Sequence, residues 1–177
     1  GASIILGGEG VSGIADAVLA ETPADAVVVG EGEGPWIRIL AALDGGGGLD
    51  NIPNVVTSSH RMGIARQPRD GGGIGHLDEL PLPDWDDIPL ERYWSQRQIH
   101  SPTSESRYLP IIGSRGCPFA CKFCTAPSTW GGQNYRSPEA VVEEMRYQIA
   151  TRDIRFFSFN DFSIATSIKW FEEFLDA

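Results

Sequence analysis

The chain has almost no cysteine, no long apolar run and no surplus of basic charge, and each shortage removes a class of protein. Only three cysteines occur in 177 residues, all between Cys117 and Cys124. Secreted disulfide scaffolds use even numbers of cysteines spread along the chain, so reduced thiols that bind a metal are the better reading. No apolar stretch approaches the length that spans a bilayer. The first residues also lack the basic start, apolar middle and small-residue cleavage site of a secretory signal, so a soluble cytoplasmic protein with no membrane partner is expected. Lys and Arg number 14 against 24 Asp and Glu, a formal charge of -10. Tracking a phosphate backbone takes a basic face, so nucleic acid is not an expected partner.

What is present alternates between strand and helix signals. Residues 3–6 form a short apolar run closed by Gly7 and Gly8, and 13–20 have helix-forming composition. A second strand is predicted at 26–29. It breaks at the GEGEG run, 30–34, and a helix resumes with Pro35 near its first turn and Ile37, Leu40 and Ala41 at core-facing spacing. This order predicts parallel strands under covering helices. Four glycines, 45–48, end the block, and 53–57 reads as one more strand. Residues 58–107 turn to glycine, proline and charge, yet Leu80, Leu82, Trp85 and Ile88 supply apolar anchors that a free linker would not need.

The rhythm then restarts with a strand at 109–112 and the cysteine loop. Ser137 and Pro138 form an N-cap and first turn, and Val141, Val142, Met145 and Ile149 mark one face of the helix that follows. A buried parallel strand is predicted at 154–159, and a closing helix at 166–175 with Ile168, Phe171 and Leu175 on one face. A doubly wound sheet or a barrel has about five to eight strands, more than either block offers, so the chain is expected to be a middle piece of something larger.

The cysteines have the spacing CxxxCxxC and directly follow a strand, where the loops of a parallel barrel carry its chemistry. Three thiolates can hold a cuboidal iron-sulfur cluster by three of its irons, which leaves the fourth open to an exogenous ligand. A cluster that only carries electrons gains nothing from an open iron. The competing reading is a zinc knot of three cysteines and one histidine. His100 is the nearest candidate, but it lies upstream of the intervening strand. Spacing and the preceding strand favour the cluster.

With the aromatic Phe123 just before the last cysteine, the loop resembles the signature of radical S-adenosylmethionine enzymes. The W-G-x-x-x-x-R-S-P-E-x-V-V-E-E run from Trp130 to Glu144 and the strand ending Phe159-Asn160-Asp161 are similar to that superfamily too. Upstream, SIILGGEG, VVVGEGEGPW and LDELPLPDWD are similar to its cobalamin-binding branch. The resemblance implies an α/β fold in three parts. Residues 1–57 would be the C-terminal part of a flavodoxin-like, Rossmann-type doubly wound sheet that binds cobalamin, 58–107 an interdomain connection, and 108–177 the first βα units of a partial TIM-like barrel.

The same resemblance implies three cofactors: a 4Fe-4S cluster on Cys117, Cys121 and Cys124, S-adenosylmethionine bound through its amino and carboxylate groups to the open iron, and cobalamin. One electron would break a carbon-sulfur bond of S-adenosylmethionine, and the 5'-deoxyadenosyl radical would abstract hydrogen from an unreactive carbon. In this branch a methyl group carried on cobalt is commonly delivered to an unactivated carbon or phosphorus. The protein's part is to position cofactors and exclude water. A small-molecule or peptide substrate and a one-electron donor protein such as flavodoxin or ferredoxin are the implied partners. No catalytic side chain follows.

By this resemblance Phe123 lies near the adenine and Asp161 faces the site mouth, with core packing the alternative for Phe123. Gly7, Gly8, Gly30 and Gly32 become cobalamin-contact candidates only through it. Read from the residues, GEGEG is a tight turn whose acids complement a helix dipole, or one whose amides meet the polar tail of a ligand. It is not a dinucleotide fingerprint, because the third position falls on Pro35 and Glu31 and Glu33 would repel a pyrophosphate.

The branch's cobalt-ligating Asp-x-His-x-x-Gly is not matched: HRMG at 60–63 has Ser58 in the aspartate position, His76 and His100 fit no better, and no histidine is assigned. Asp84, Asp86 and Asp87, set between prolines, read as turn and capping groups, and Glu143 and Glu144 as a solvated face. Three other functions compete. A cyclisation or rearrangement would use the same cofactors. A transfer-RNA methylthiotransferase would need further cysteines and less acidity. A binding module or inactive fragment would keep the cluster loop without the strands that complete its sites.

Overall fold

The computed structural model describes residues 2–59, 75–96, 106–130 and 132–177. The chain forms two compact units, Gly1–Gly75 with Gly116–Gly132, and His76–Arg115 with Gln133–Ala177. Its first elements are β1 (Ile5–Leu6), α1 (Glu9–Ser12), α2 (Ala15–Glu21), β2 (Ala26–Val28), α3 (Glu33–Asp44) and β3 (Val55–Thr57). They are followed by α4 (Leu90–Gln96), β4 (Tyr108–Ile111), β5 (Ser114–Arg115), α5 (Ala126–Thr129), β6 (Asn134–Tyr135), α6 (Pro138–Arg152), β7 (Phe156–Phe159) and α7 (Ile168–Asp176). Among the described residues no helix is long and apolar enough to cross a membrane.

In the first unit β2 is the central strand of the order β1-β2-β3, and all three of its residues are buried. Alternate side chains leave a strand on opposite faces. Val27 accordingly packs with Ala15 and Leu19 of α2, while Ala26 and Val28 pack with Ile39 of α3 and with Leu49 and Ile52. β1 pairs with β2 in parallel, as the helix between them requires, but β3 pairs antiparallel, Val28 opposite Val55. The expected parallel order therefore stops after two strands. The segment 45–54 buries Leu49 and Ile52 in the α3-side cluster before β3 begins beside the end of β2, so the chain enters the sheet from the opposite end. On α3 the packing face is Pro35 and Ile39; Ile37 is 69% exposed and Leu40 is also exposed, against the expectation that they face the core.

In the second unit β4 and β7 form a parallel ladder from Tyr108 opposite Phe156 to Ile111 opposite Phe159. α6 lies between them in sequence and starts where expected: Ser137 Oγ accepts the Ala140 N–H at 3.2 Å, with Pro138 in the first turn. Its buried face is Val141, Glu144 and Gln148, whereas Ile149 is exposed. Glu144, expected in solvent, is only 3% exposed and accepts from Arg136 Nη1 at 2.5 Å. Glu143 is exposed.

α7 packs through Trp170 and Phe174, whose rings stack 5.5 Å apart, and Trp170 Nε1 donates to the Arg136 carbonyl at 2.6 Å. The expected face of Ile168, Phe171 and Leu175 is its exposed side. α4 was not foreseen. Its Trp94 is buried and donates from Nε1 to the Tyr108 carbonyl at 2.7 Å, which ties it to β4.

Candidate metal centre and the glycine-turn pocket

The antiparallel ladder of β5 and β6, Ser114 opposite Tyr135 and Arg115 opposite Asn134, stands at the base of the cysteine loop. Just inside it Gly116 adopts φ +80°, and a Cβ there would sit 2.1 Å from the Gly132 carbonyl oxygen. The two ends of the loop can pinch together only because position 116 has no side chain. Cys117 is half-buried, Cys121 and Cys124 are exposed, and all three are free thiols. A single turn links the last two, with Cys124 N–H donating to the Cys121 carbonyl at 3.0 Å. Phe123 is 92% exposed, so the core-packing alternative for it is not realised.

The donor chemistry fits an iron-sulfur cluster: three soft, unpaired thiols on one short accessible loop. A tetrahedral zinc instead draws its donors around one ion at about 2.3 Å. Among the described residues no three His, Cys, Asp or Glu side chains, the three cysteines included, are gathered closely enough to hold a metal ion. His60 and His100 lie outside the described residues, while His76 precedes a 3-10 turn, Leu77–Glu79.

Gly7, Gly8, Gly30 and Gly32, picked out only by resemblance, line one cavity of about 440 Å³ in the first unit. Two of them have positive φ, +101° at Gly8 and +83° at Gly30. Ser12, which the sequence reading passed over, ties the two turns together: its buried hydroxyl donates to the Gly8 carbonyl at 2.9 Å and accepts from Gly30 N–H at 3.2 Å. Glu9, Glu33, Trp36 and Trp130 complete much of the wall. Trp130 arrives from the C-terminal end of α5, beyond the cysteines, and donates its indole N–H to the Glu9 carboxylate. The sequence held a sign of it, since Trp130 opens the run that resembles the superfamily.

Asp161 follows β7 in the second unit. Its carboxylate accepts Gly113 N–H at 3.1 Å, Ser114 Oγ at 2.7 Å and the Ser114 N–H. Those donors lie just ahead of the cysteine loop in sequence, so Asp161 braces the strand end from which the loop departs. Asp84 Oδ1 accepts Asp86 N–H at 2.9 Å, a turn role as expected of that acidic cluster, whereas Asp86 forms an ion pair with Arg152. The second unit also holds a largely apolar cavity of about 350 Å³ lined by α4, β4, Ser158 and Asn160. The indole nitrogen of Trp85, another lining residue, is buried without a protein partner.

No protein-family model matches the chain. It is 32% identical over 167 residues to the anaerobic magnesium-protoporphyrin IX monomethyl ester cyclase of Rubrivivax gelatinosus, covering 90% of this chain and 28% of that one. It is 33% identical over 145 residues to the hopanoid C-3 methylase of Methylococcus capsulatus, covering 80% of this chain and 25% of that protein. The fold matches the radical S-adenosylmethionine methyltransferase TsrM from Kitasatospora setae with a TM-score of 0.75 at 21% identity, over 99% of this chain and 32% of that one. The chain thus spans about a third or less of the length of these proteins. The cysteine motif on its loop and these likenesses agree with the resemblance to the radical S-adenosylmethionine superfamily. A second structure of TsrM, with cobalamin and a 4Fe-4S cluster bound, matches with a TM-score of 0.68 at 21% identity.

Proposed function

We propose that this chain carries the cluster loop and the cobalamin turns of a radical S-adenosylmethionine enzyme that methylates an unactivated carbon or phosphorus. The observation that carries the reading is that the three-cysteine loop and all four glycines belong to one compact unit, with Trp130 of the loop segment lining the same cavity as the glycines. Cys117, Cys121 and Cys124 would hold the 4Fe-4S cluster, and three ligands leave one iron for S-adenosylmethionine. When bound, these groups supply the electron, the radical and the methyl carrier that amino-acid side chains lack.

The chain's own residues bind, orient and exclude water. Gly8 and Gly30 would let backbone approach the ligand closely, Trp36 and Trp130 would cover its edge, and Glu9 and Glu33 would accept from its amide groups. Phe123, exposed between two of the cysteines, is free to cover the adenine, and Asp161 acts by bracing Gly113 and Ser114. Residues 1–57, 58–107 and 108–177 would be the end of the flavodoxin-like cobalamin domain, the connection and the first βα units of the barrel. The parallel pairs β1-β2 and β4-β7, each joined through helix, support a βα block on either side of the connection, while Gly116–Gly132 clusters with the first block and not with the rest of 108–177. Substrate, electron donor and oligomeric state belong to the whole protein.

Cyclisation is the second reading, favoured by the likeness to a monomethyl ester cyclase. Anaerobic reconstitution tests both readings at their root. About four irons per chain are expected, with S-adenosylmethionine shifting the spectrum of the reduced cluster. One zinc and no iron, or an unchanged spectrum, would overturn them. Products formed with labelled S-adenosylmethionine separate the two, since only methyl transfer leaves the label in the substrate.

A further inference from the structure

The segment carrying the cysteines and the turn carrying Gly7 and Gly8 are joined by a side-chain pair, Trp130 and Glu9. Both elements are weak on their own. α1 and α5 are four-residue helices, and neither has a side-chain cap. A single helical turn does not hold itself in water, so each depends on what it packs against. Nearby, the Thr129 carbonyl lies 3.4 Å from where a Cβ on Gly30 would be, which seats the end of the cysteine segment beside the second glycine turn as well.

We propose that Trp130 is a positioning residue that couples the two cofactor sites: its indole walls the glycine-turn pocket while its N–H, held by Glu9, fixes the end of the cysteine loop. The coupling rests on the reading of that pocket as a cobalamin site only for the identity of the second ligand. Attachment of the loop at three cysteines orders α5, and the indole passes that order to α1 and the turn before it. A ligand entering the pocket then meets a turn whose ordering is already done and binds more tightly. Linkage makes the effect reciprocal.

Hydrogen exchange reads the coupling without cobalamin. In the wild-type chain, anaerobic cluster loading is expected to slow the backbone amides of residues 8–13 by about fivefold, the low end of ordinary coupling. Trp130→Phe keeps the wall and loses the donor, so the slowing should vanish. Glu9→Ala removes the acceptor, leaves the loop sequence intact and should lose it too, which decides the matter if Trp130→Phe fails to load iron. Glu9→Gln keeps an acceptor oxygen and should retain most of the slowing. No slowing in the wild type, or equal slowing in wild type and Glu9→Ala, overturns the proposal.

A hydroxocobalamin titration forms the second arm. Wild-type Kd should be about fivefold lower with the cluster than without, and the ratio should fall to about one in Trp130→Phe. Binding to wild type that ignores the cluster overturns the coupling. No binding to either wild-type form, with the exchange response intact, refutes cobalamin as the ligand and upholds the clamp.

Discussion

Replacing Gly116 by alanine should empty the metal site without touching a single cysteine. A Cβ at this position would lie 2.1 Å from the Gly132 carbonyl oxygen, more than 1 Å inside an ordinary contact of about 3.4 Å, and the obstacle is backbone that cannot rotate away. The φ of +80° adds about 1 kcal/mol for any residue with a side chain. If the loop ends part instead, the two-residue ladder of Ser114 and Arg115 with Tyr135 and Asn134 loosens, at about 1 kcal/mol for each hydrogen bond lost. The closed loop therefore loses about 3 kcal/mol, roughly a hundredfold in population.

Iron per chain, counted after anaerobic reconstitution and desalting, should drop from about four to below one. Gly32→Ala is the control, because nothing lies within 4 Å of its Cβ position and its φ of -92° suits alanine, so loading should be unchanged. Gly30→Ala falls between them, with φ +83° and the Thr129 oxygen at 3.4 Å, and should weaken pocket binding before it affects iron. Wild-type iron content and an unchanged melting temperature in Gly116→Ala would refute the pinched-loop argument.

Cys121→Ala, leaving two attachment points, should retain less than about one iron, and full loading would defeat the three-thiol centre. Glu144→Gln leaves the Arg136 guanidinium, 9% exposed, facing a neutral amide and should cost about 3 kcal/mol in urea unfolding; a loss below about 0.5 kcal/mol would mean the pair is not buried in solution. Asp161→Asn offers one acceptor oxygen where the carboxylate's two now serve Gly113 and Ser114, so about 2 kcal/mol should be lost in the same assay, and no loss would refute the brace.

Element positions were legible where local chemistry decides them. Ser137 and Pro138 announce α6 because a hydroxyl before a proline satisfies an N-terminal amide, and the structure shows that bond. Helix faces were harder to read. α3 has apolar residues at Trp36, Ile37, Ile39, Leu40 and Leu43, on more than one side, so periodicity alone could not choose Ile39 over Ile37. α7 posed the same problem. Its Ile168, Phe171 and Leu175 have the expected spacing, but Trp170 can both stack on Phe174 and donate to the Arg136 carbonyl, and that pair takes the inside. Glu144 stands three residues after Val141 and four before Gln148, on the buried side, and it is tolerated there because Arg136 comes with it.

The site divides along the same line. Thiol spacing is a local requirement of the proposed cluster, so its three candidate ligands could be picked out from thirteen residues of sequence, Arg115 to Pro127. What the loop leans on is not local. Trp130 and Glu9 stand 121 residues apart, and nothing in either neighbourhood pairs an indole with that carboxylate. Ser12 is similarly silent in sequence, because a serine bonding back four residues to Gly8 looks like any helical serine until Gly30 arrives to donate to it. Three glycine positions, 8, 30 and 116, owe their identity to positive φ, and Gly116 also to a carbonyl close to the missing Cβ, and a fold must exist before that carbonyl has a place. A sequence can therefore suggest the metal chemistry, while the contacts that hold the cysteine loop beside its neighbouring pocket become visible only as geometry.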